Sequence, residues 1–336
     1  MRGGDLFHEN MPEEWIDRVF AVMALAPQHT FQVLTKRADR MREYMQRRSG
    51  KLARYMIDEY LIRGNGNGYV VQAEWPVQSL GDIDLPDDVA MRQWPLPNVW
   101  LGVSVEDQKR AEDRIPLLLD TPAAVRWISA EPLLGPIDLN CLTVSGDGEM
   151  DAVHPWSWEE EEANWIDTSD TWEVDFEDHF GHAPGSKRGP IHPVLDWVVI
   201  GGESGPGARP MHPAWATSLR DQCAAANVPF LFKQWGDWAP VCAIPDTYET
   251  DEFLYHPACT PEGPRRCKVD QCILWENGRR FDMDCWSRVK GATRENLLLP
   301  HQSGSGHMQM MRLGKKRAGR LLDGDQHDGY PEAPRG

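Results

Sequence analysis

No run of 18 apolar residues occurs in the chain, so hydropathy gives no candidate for a bilayer-spanning helix. A secretory leader pattern is also missing, because residues 1–10 are polar and acidic where a leader is basic and then apolar. The seven cysteines (Cys141, Cys223, Cys242, Cys259, Cys267, Cys272, Cys285) contain no CxxC pair. Zinc usually takes ligands paired two to four residues apart, so the loose group from Cys259 to Cys285 reads as a loop with incidental thiols ahead of a metal site. An odd number of cysteines at irregular spacing argues for reduced thiols and a cytoplasmic location rather than a disulfide framework. There is no HExxH, no Ser-His-Asp or Cys-His arrangement, no GxGxxG, and no phosphate loop ending in Gly-Lys-Ser/Thr. Hydrolase readings therefore start with little support.

Positive charge is missing from one long region, since no Lys or Arg lies between Arg126 and Lys187. Within it, residues 147–178 hold 13 carboxylates, Asp147 and Glu149 through Asp178. The whole chain carries −17, which opposes nucleic-acid binding. Setting those 13 acids aside leaves −4, so the scaffold itself is nearly balanced.

What is present fits a globular α/β protein. The 336 residues are 41% hydrophobic and 26% charged, enough for one large barrel-like domain or two ordinary ones. Five short apolar runs, rich in β-branched and aromatic residues, fall at 30–34, 99–103, 125–128, 197–200 and 230–232. Continuous apolar runs suit strands covered on both faces, which predicts βα repetition with mostly parallel strands. Helical stripes lie between them: Ile16, Phe20 and Met23 after Pro12; Ala111, Ile115, Leu118 and Leu119 after a capping-box pattern at Ser104; and Trp215, Leu219 and Cys223 after Pro213.

Two insertions interrupt this pattern. Residues 64–97 open Gly-Asn-Gly-Asn-Gly and read as a flexible excursion. Residues 140–193 are acidic and carry Trp156, Trp158, Trp165 and Trp172, consistent with a solvated loop or a lid. Residues 1–240 thus form the repeated unit with its insertions, and residues 241–336 an irregular extension with a basic segment at 312–320.

In parallel sheets, ligands bind where strands end. The residues following the five runs are notably polar: Lys36 and Arg37; Ser104 and Glu106; Ser129 and Glu131; Gly201, Gly202, Glu203 and Ser204, with Arg209 beyond; and Lys233 and Gln234. Any one of these has a structural explanation as a solvated or paired charge, but five in succession predict a shared pocket. Lys36, Arg37, Arg209 and Lys233 suit phosphate or carboxylate, and Glu106, Glu131 and Glu203 suit an amine, a hydroxyl or proton transfer. The loop from Gly201 to Gly207 reads as a tight ligand-facing turn. A small anionic ligand is the expected partner. The basic groups, together with Lys315 to Arg317, make a non-catalytic nucleic-acid-binding or interaction protein the alternative.

Several long blocks carry a resemblance. Phe31-Gln-Val-Leu-Thr-Lys-Arg37, Asn98-Val-Trp-Leu-Gly-Val-Ser-Val-Glu106, Arg126-Trp-Ile-Ser-Ala-Glu-Pro-Leu-Leu-Gly135, Trp197-Val-Val-Ile-Gly-Gly-Glu-Ser-Gly-Pro-Gly-Ala-Arg-Pro210, Phe232-Lys-Gln-Trp-Gly236 and Gly314-Lys-Lys-Arg-Ala-Gly-Arg-Leu-Leu-Asp-Gly324 resemble the largely uncharacterised phage and prophage three-Cys-motif protein family. The resemblance implies a radical S-adenosylmethionine-like, partial (β/α) barrel. Intact members open with an upstream strand and a cysteine block of the kind that holds a [4Fe–4S] cluster, used with S-adenosylmethionine. This chain opens at Asp5-Leu-Phe-His8, which resembles the end of that family's second strand, and none of its cysteines matches the block. The resemblance therefore implies an N-terminally truncated barrel with no cluster cofactor of its own and an apolar free edge at 30–34. A mis-assigned start, a truncated prophage remnant and a true shortened variant would each fit such a chain.

Overall fold

The structure is a computed structural model that describes residues 4–24, 26–48, 94–144, 148–154, 193–244, 268–283 and 306–332. Most of both insertions, including the four tryptophans named above, lies outside the described residues, as do Cys259, Cys267 and Cys285. No described helix is long and apolar enough to cross a membrane.

The chain begins with helix α1 (Glu13–Ala24), strand β1 (Phe31–Thr35) and helix α2 (Ala38–Arg47). Strand β2 (Val99–Ser104), helix α3 (Gln108–Leu119) and strand β3 (Val125–Ala130) follow. A short hairpin, β4 (Leu142–Val144) with β5 (Gly148–Met150), precedes β6 (Trp197–Gly201), α4 (Pro213–Ala225) and β7 (Phe230–Gln234). The five long strands form one sheet in the order β1-β2-β3-β6-β7, and every neighbouring pair is parallel. All five apolar runs read from sequence are these strands. Each extends one or two residues further than the run, because the ladder continues into the polar strand ends.

Strand alternation divides the sheet into two faces. Val33, Leu101, Val103, Ile128, Val198, Ile200 and Phe232 point one way and pack with Ile16 and Phe20 of α1, Met41 and Tyr44 of α2, Ile115 and Leu118 of α3, and Leu219 and Cys223 of α4. The opposite parity, Trp100, Val125, Trp127, Trp197 and Val199, forms its own cluster with Leu231. The helices thus cover one face, and aromatic rings line the other.

Local chemistry explains the helix starts. At α4, Pro213 occupies the first turn, where no N–H is needed, and the His212 ring accepts from Ala214 N at 3.1 Å. The start of α3 corrects the sequence reading. Ser104 is still in the ladder, opposite Ser129, and the cap is Asp107, whose carboxylate accepts from Arg110 N at 2.9 Å. Helix α2 has no apolar run long enough to stand out, yet it buries Ala38, Met41, Tyr44 and Met45 between arginines.

The region beyond 240 also differs from the irregular extension expected. Strands β8 (Trp238–Pro240), β9 (Gln271–Trp275), β10 (Arg280–Met283) and β11 (His307–Arg312) form an antiparallel sheet ordered β10-β9-β11-β8. The composition of β11, His-Met-Gln-Met-Met-Arg, lacks β-branched residues, which is why it carries little strand signal.

The C-terminal segment then returns to the parallel sheet. Gly329 N donates to Phe230 O at 2.8 Å, Phe232 N donates to His327 O at 2.9 Å, and Leu231 bridges Asp328. This covers the outer edge of β7. Gly329 has no room for a side chain, since a Cβ would lie 2.5 Å from the Phe230 backbone. Tyr330 then packs tilted against Trp100 and edge-on to Trp197, at centroid distances of 4.9 and 5.0 Å, and its hydroxyl takes a 3.2 Å bond from Gln32 on β1. The amino end of the aromatic face is sealed by this residue. At the other side of the sheet, β1 is an edge strand among the described residues, with Leu34 partly exposed.

Candidate functional site

Register sets the side chains of the aromatic face in successive rungs. Gly102 lies opposite Trp127, and Ser104 lies opposite Ser129 one rung nearer the carboxyl ends. Beyond the last rung come Lys36, Glu106, Glu131, Glu203 and Lys233, each from a different strand end. The structure brings these together as ion pairs.

Glu106 accepts from Lys36 through one oxygen and from Arg114 of α3 through the other, at 3.0 Å for Arg114. Burial alone would raise the Glu106 carboxyl, but the hydrogen bonds and charges of Lys36 and Arg114 outweigh it and hold the group below the usual range. Lys233 donates to Glu131 at 3.0 Å, and the Ser129 hydroxyl lies 3.5 Å from the same oxygen. Arg209 grips Glu203 with both arms of its guanidinium, at 2.8 and 3.0 Å, while its backbone N–H adds a third bond at 2.9 Å. The Arg209 hydrogen bonds are the main reason that Glu203 also sits below the ordinary carboxylate range. Glu106 acts electrostatically on Arg209, which ties the Glu203 pair to the Lys36 pair.

Solvent meets the two signs unequally. The Lys36, Lys233 and Arg209 side chains are 50%, 55% and 54% exposed, whereas their partners Glu106, Glu131 and Glu203 are 12%, 20% and 28% exposed. The acids lie beneath and the cations face outward.

Glycines permit this packing. A Cβ on Gly201 would lie 2.4 Å from Glu131 Oε1, so the glycine lets that carboxylate cross the end of β6. A Cβ on Gly202 would lie 1.9 Å from the Trp235 carbonyl oxygen, and one on Gly236, at φ +80°, would lie 2.2 Å from the Glu203 carbonyl oxygen. The loops after β6 and β7 therefore touch backbone to backbone, with Gly202 N donating to Gln234 O and Asp237 N to Glu203 O, both at 2.8 Å.

Of the residues expected from sequence, Lys36, Glu106, Ser129, Glu131, Glu203, Arg209 and Lys233 meet in this rim. Ser104 is buried on the rung below, and Gly201 and Gly202 form its floor on the β6 side. Arg37 turns to a neighbouring cluster, where Asp5 accepts from it at 2.9 Å and from the Thr35 hydroxyl at 2.7 Å. Ser204 is exposed, Gln234 contributes its backbone carbonyl, and neither side chain forms a hydrogen bond among the described residues. Four supporting residues escaped the sequence reading. Asp5 also accepts from Lys36 N at 3.3 Å and Arg114 donates to Glu106, so both buttress the rim. Asp237 accepts from Gly205 N at 3.2 Å, and Arg312 of β11 donates to Gly205 O at 3.0 Å, so both brace the glycine loop. Their partners are remote in sequence, which is why no local spacing marks them.

Thiols are placed elsewhere. Among the described residues none of the four cysteines directly follows a parallel strand, and no three His, Cys, Asp or Glu side chains are arranged to hold a metal. Burial pushes Cys223 in α4 and Cys272 in β9 up to about 12, which makes both poor thiolate ligands. The described residues therefore do not fit the [4Fe–4S] cluster that the resemblance implies for intact relatives.

A family model described as "Protein of unknown function (DUF5131)" matches residues 2–331, and the chain belongs to that family. No curated protein and no solved structure matches it.

Proposed function

We propose that this DUF5131 chain is an enzyme-type scaffold, an open arc of a (β/α) barrel, whose carboxyl rim binds a small anionic ligand. The strand order supports the arc. Five parallel strands follow one another without reversal, and the helices pack on one face, whereas a doubly wound sheet reverses its order and carries helices on both. The likeness to radical S-adenosylmethionine-like barrels of phages and prophages supports the same reading through its strand-end blocks.

One observation carries the ligand: three partly buried carboxylates each hold a cation that is half exposed. Exposed ion pairs stabilise a fold by only about 0–1 kcal/mol each, so stability alone is a weak reason to gather three at one sheet end. The arrangement instead holds the Lys36, Arg209 and Lys233 side chains half exposed at the strand ends, a pattern that suits an anionic group. Because Glu106 and Glu203 stay ionised at neutral pH, their role is to position cations and to accept from hydroxyl or amine donors rather than to store a proton.

Thermal melts of the full chain with adenosine 5′-monophosphate or pyrophosphate test this reading. A ligand that binds only the folded state stabilises it by about 2.7 kcal/mol at a hundred times its Kd. That gain should vanish in a Lys36→Met, Arg209→Met, Lys233→Met variant. Equal gains in both proteins, or none with either probe, would count against it.

The second reading, nucleic acid, is favoured by one placement. The turn carrying Lys315, Lys316 and Arg317 runs beside the end of β7, since Leu313 N and Gly314 N donate to Asp237 O and Trp235 N donates to Gly319 O. A log–log salt slope near −0.7 per phosphate for a single-stranded oligonucleotide would support it, and a flat dependence would remove it.

A further inference from the structure

Five indole groups of the described residues find a carbonyl oxygen. Trp94 donates to Met45, Trp197 to Gly329, Trp215 to Glu276, Trp235 to Leu321 and Trp238 to Ala208. Trp127 does not, and among the described indoles its nitrogen is the one fully buried without a partner. Its side chain is 6% exposed, and its Nε1–H is buried with no acceptor. A buried donor without a partner is costly, and such groups in a folded protein call for an explanation.

The position of this N–H supplies one. The pyrrole edge of Trp127 lies over Gly102, where an added Cβ would sit 2.6 Å from Nε1. Only a glycine lets the ring lie flat against β2. This is the aromatic face, one rung below Ser104 and Ser129 and two rungs below the Glu131–Lys233 pair. The two serines are 6% and 3% exposed, and the Ser129 hydroxyl reaches only Glu131, at 3.5 Å. Trp197 lies opposite Trp127 on the same rung, with ring centroids 5.4 Å apart, and beneath them Trp100 and Tyr330 close the face. On the flank, Leu34 lies opposite Gly102 in the register and is 37% exposed, so solvent reaches the β1 end of this rung.

We propose that Trp127 Nε1–H is the recognition donor at the floor of the rim site, and that it binds an uncharged carbonyl or ring-nitrogen acceptor on the ligand. This rests on the rim reading and narrows the ligand class. Four residues separate Trp127 from Glu131, which at about 3.3 Å per residue is a span of roughly 13 Å along β3. A ligand with its anionic group on the Lys36, Arg209 and Lys233 side chains and an acceptor at Trp127 therefore has the length of a nucleoside monophosphate. Ser104 and Ser129 lie alongside its middle, where hydroxyls would meet them.

The test compares the four nucleoside 5′-monophosphates with ribose 5-phosphate, which keeps the anion and lacks the base. The full chain is labelled with indole nitrogen-15, and the Trp127 signal is assigned by its loss in Trp127→Phe. At least one nucleotide should shift the Trp127 N–H signal saturably while ribose 5-phosphate does not. Trp127→Phe should weaken that nucleotide about tenfold and leave ribose 5-phosphate unchanged, as expected for one lost hydrogen bond. If nucleotides and ribose 5-phosphate both stabilise the protein but leave the Trp127 signal unmoved, the floor donor is refuted and the rim reading survives. If neither kind of probe stabilises it, both fall. Should Trp127→Phe fail to fold, the Trp127 signal is assigned in the wild-type protein through its own backbone resonances, and the wild-type titration decides.

Discussion

Alanine at Gly201 and alanine at Gly202 should have opposite kinds of effect, although the two positions adjoin. At Gly201 the new methyl meets Glu131 Oε1, the far end of a flexible side chain, at 2.4 Å. Glu131 can rotate away, which gives up its bonds to Lys233 and Ser129 but leaves the backbone in place. Losing a partly exposed pair of this kind costs about 1 kcal/mol. At Gly202 the methyl meets the Trp235 carbonyl oxygen at 1.9 Å. That carbonyl cannot yield easily, because Gly202 N is bound to Gln234 O, Trp235 N to Gly319 O and the Trp235 indole to Leu321 O. Forcing the two strand ends apart costs roughly 3 kcal/mol or more. At about 2–4 °C per kcal/mol for a chain of this size, Gly201→Ala should melt within a few degrees of wild type, and Gly202→Ala about 6–12 °C lower. Circular dichroism melts read the stability, and the anion titration described above reads the site. Gly201→Ala should lose binding while keeping its fold. If the two variants melt alike, the close approach of the β6 and β7 loops is wrong.

Two further perturbations test other parts. The folded-state values of Asp5, Glu106 and Glu203 lie below their ordinary 3.8, 4.5 and 4.5, so their contribution to stability is present above those values and is lost as pH falls through the lower folded ones. Urea melts should show constant stability from pH 7 to about 5 and a decline below 4.5, with a shallower decline in Glu106→Gln; an unchanged acid slope in that variant would contradict the pairing with Lys36 and Arg114. Gly329→Ala should lift the C-terminal segment from β7, breaking two backbone bonds, the Trp197 indole bond and the Tyr330 packing, for roughly 3 kcal/mol and a red-shifted tryptophan emission.

The parallel strands were legible because strands covered on both faces are apolar throughout, and their polar ends stood out against that background. What the linear sequence concealed was pairing across distance. Lys36 and Glu106 are 70 residues apart and Glu131 and Lys233 are 102 apart, and nothing in local spacing says that a cation set aside for an anionic ligand will lie on a carboxylate set aside for an amine. Arg114 and Arg312 were hidden for the same reason, since α3 and β11 reach the rim only through tertiary packing. Helix α2 was obscured because its buried Met41, Tyr44 and Met45 alternate with charged residues. Ser104 misled as a cap because the ladder opposite Ser129 outlasts the apolar run.

Carbodiimide cross-linking of the native chain tests most directly whether separate strand ends converge on one rim. The reagent joins an amine to a carboxylate only when the two are in contact, adding no spacer. Peptide mass spectrometry should find amide links between Lys36 and Glu106 and between Lys233 and Glu131, both abolished by prior unfolding. Efficient coupling of surface lysines elsewhere, with neither of these two links present, would contradict the rim.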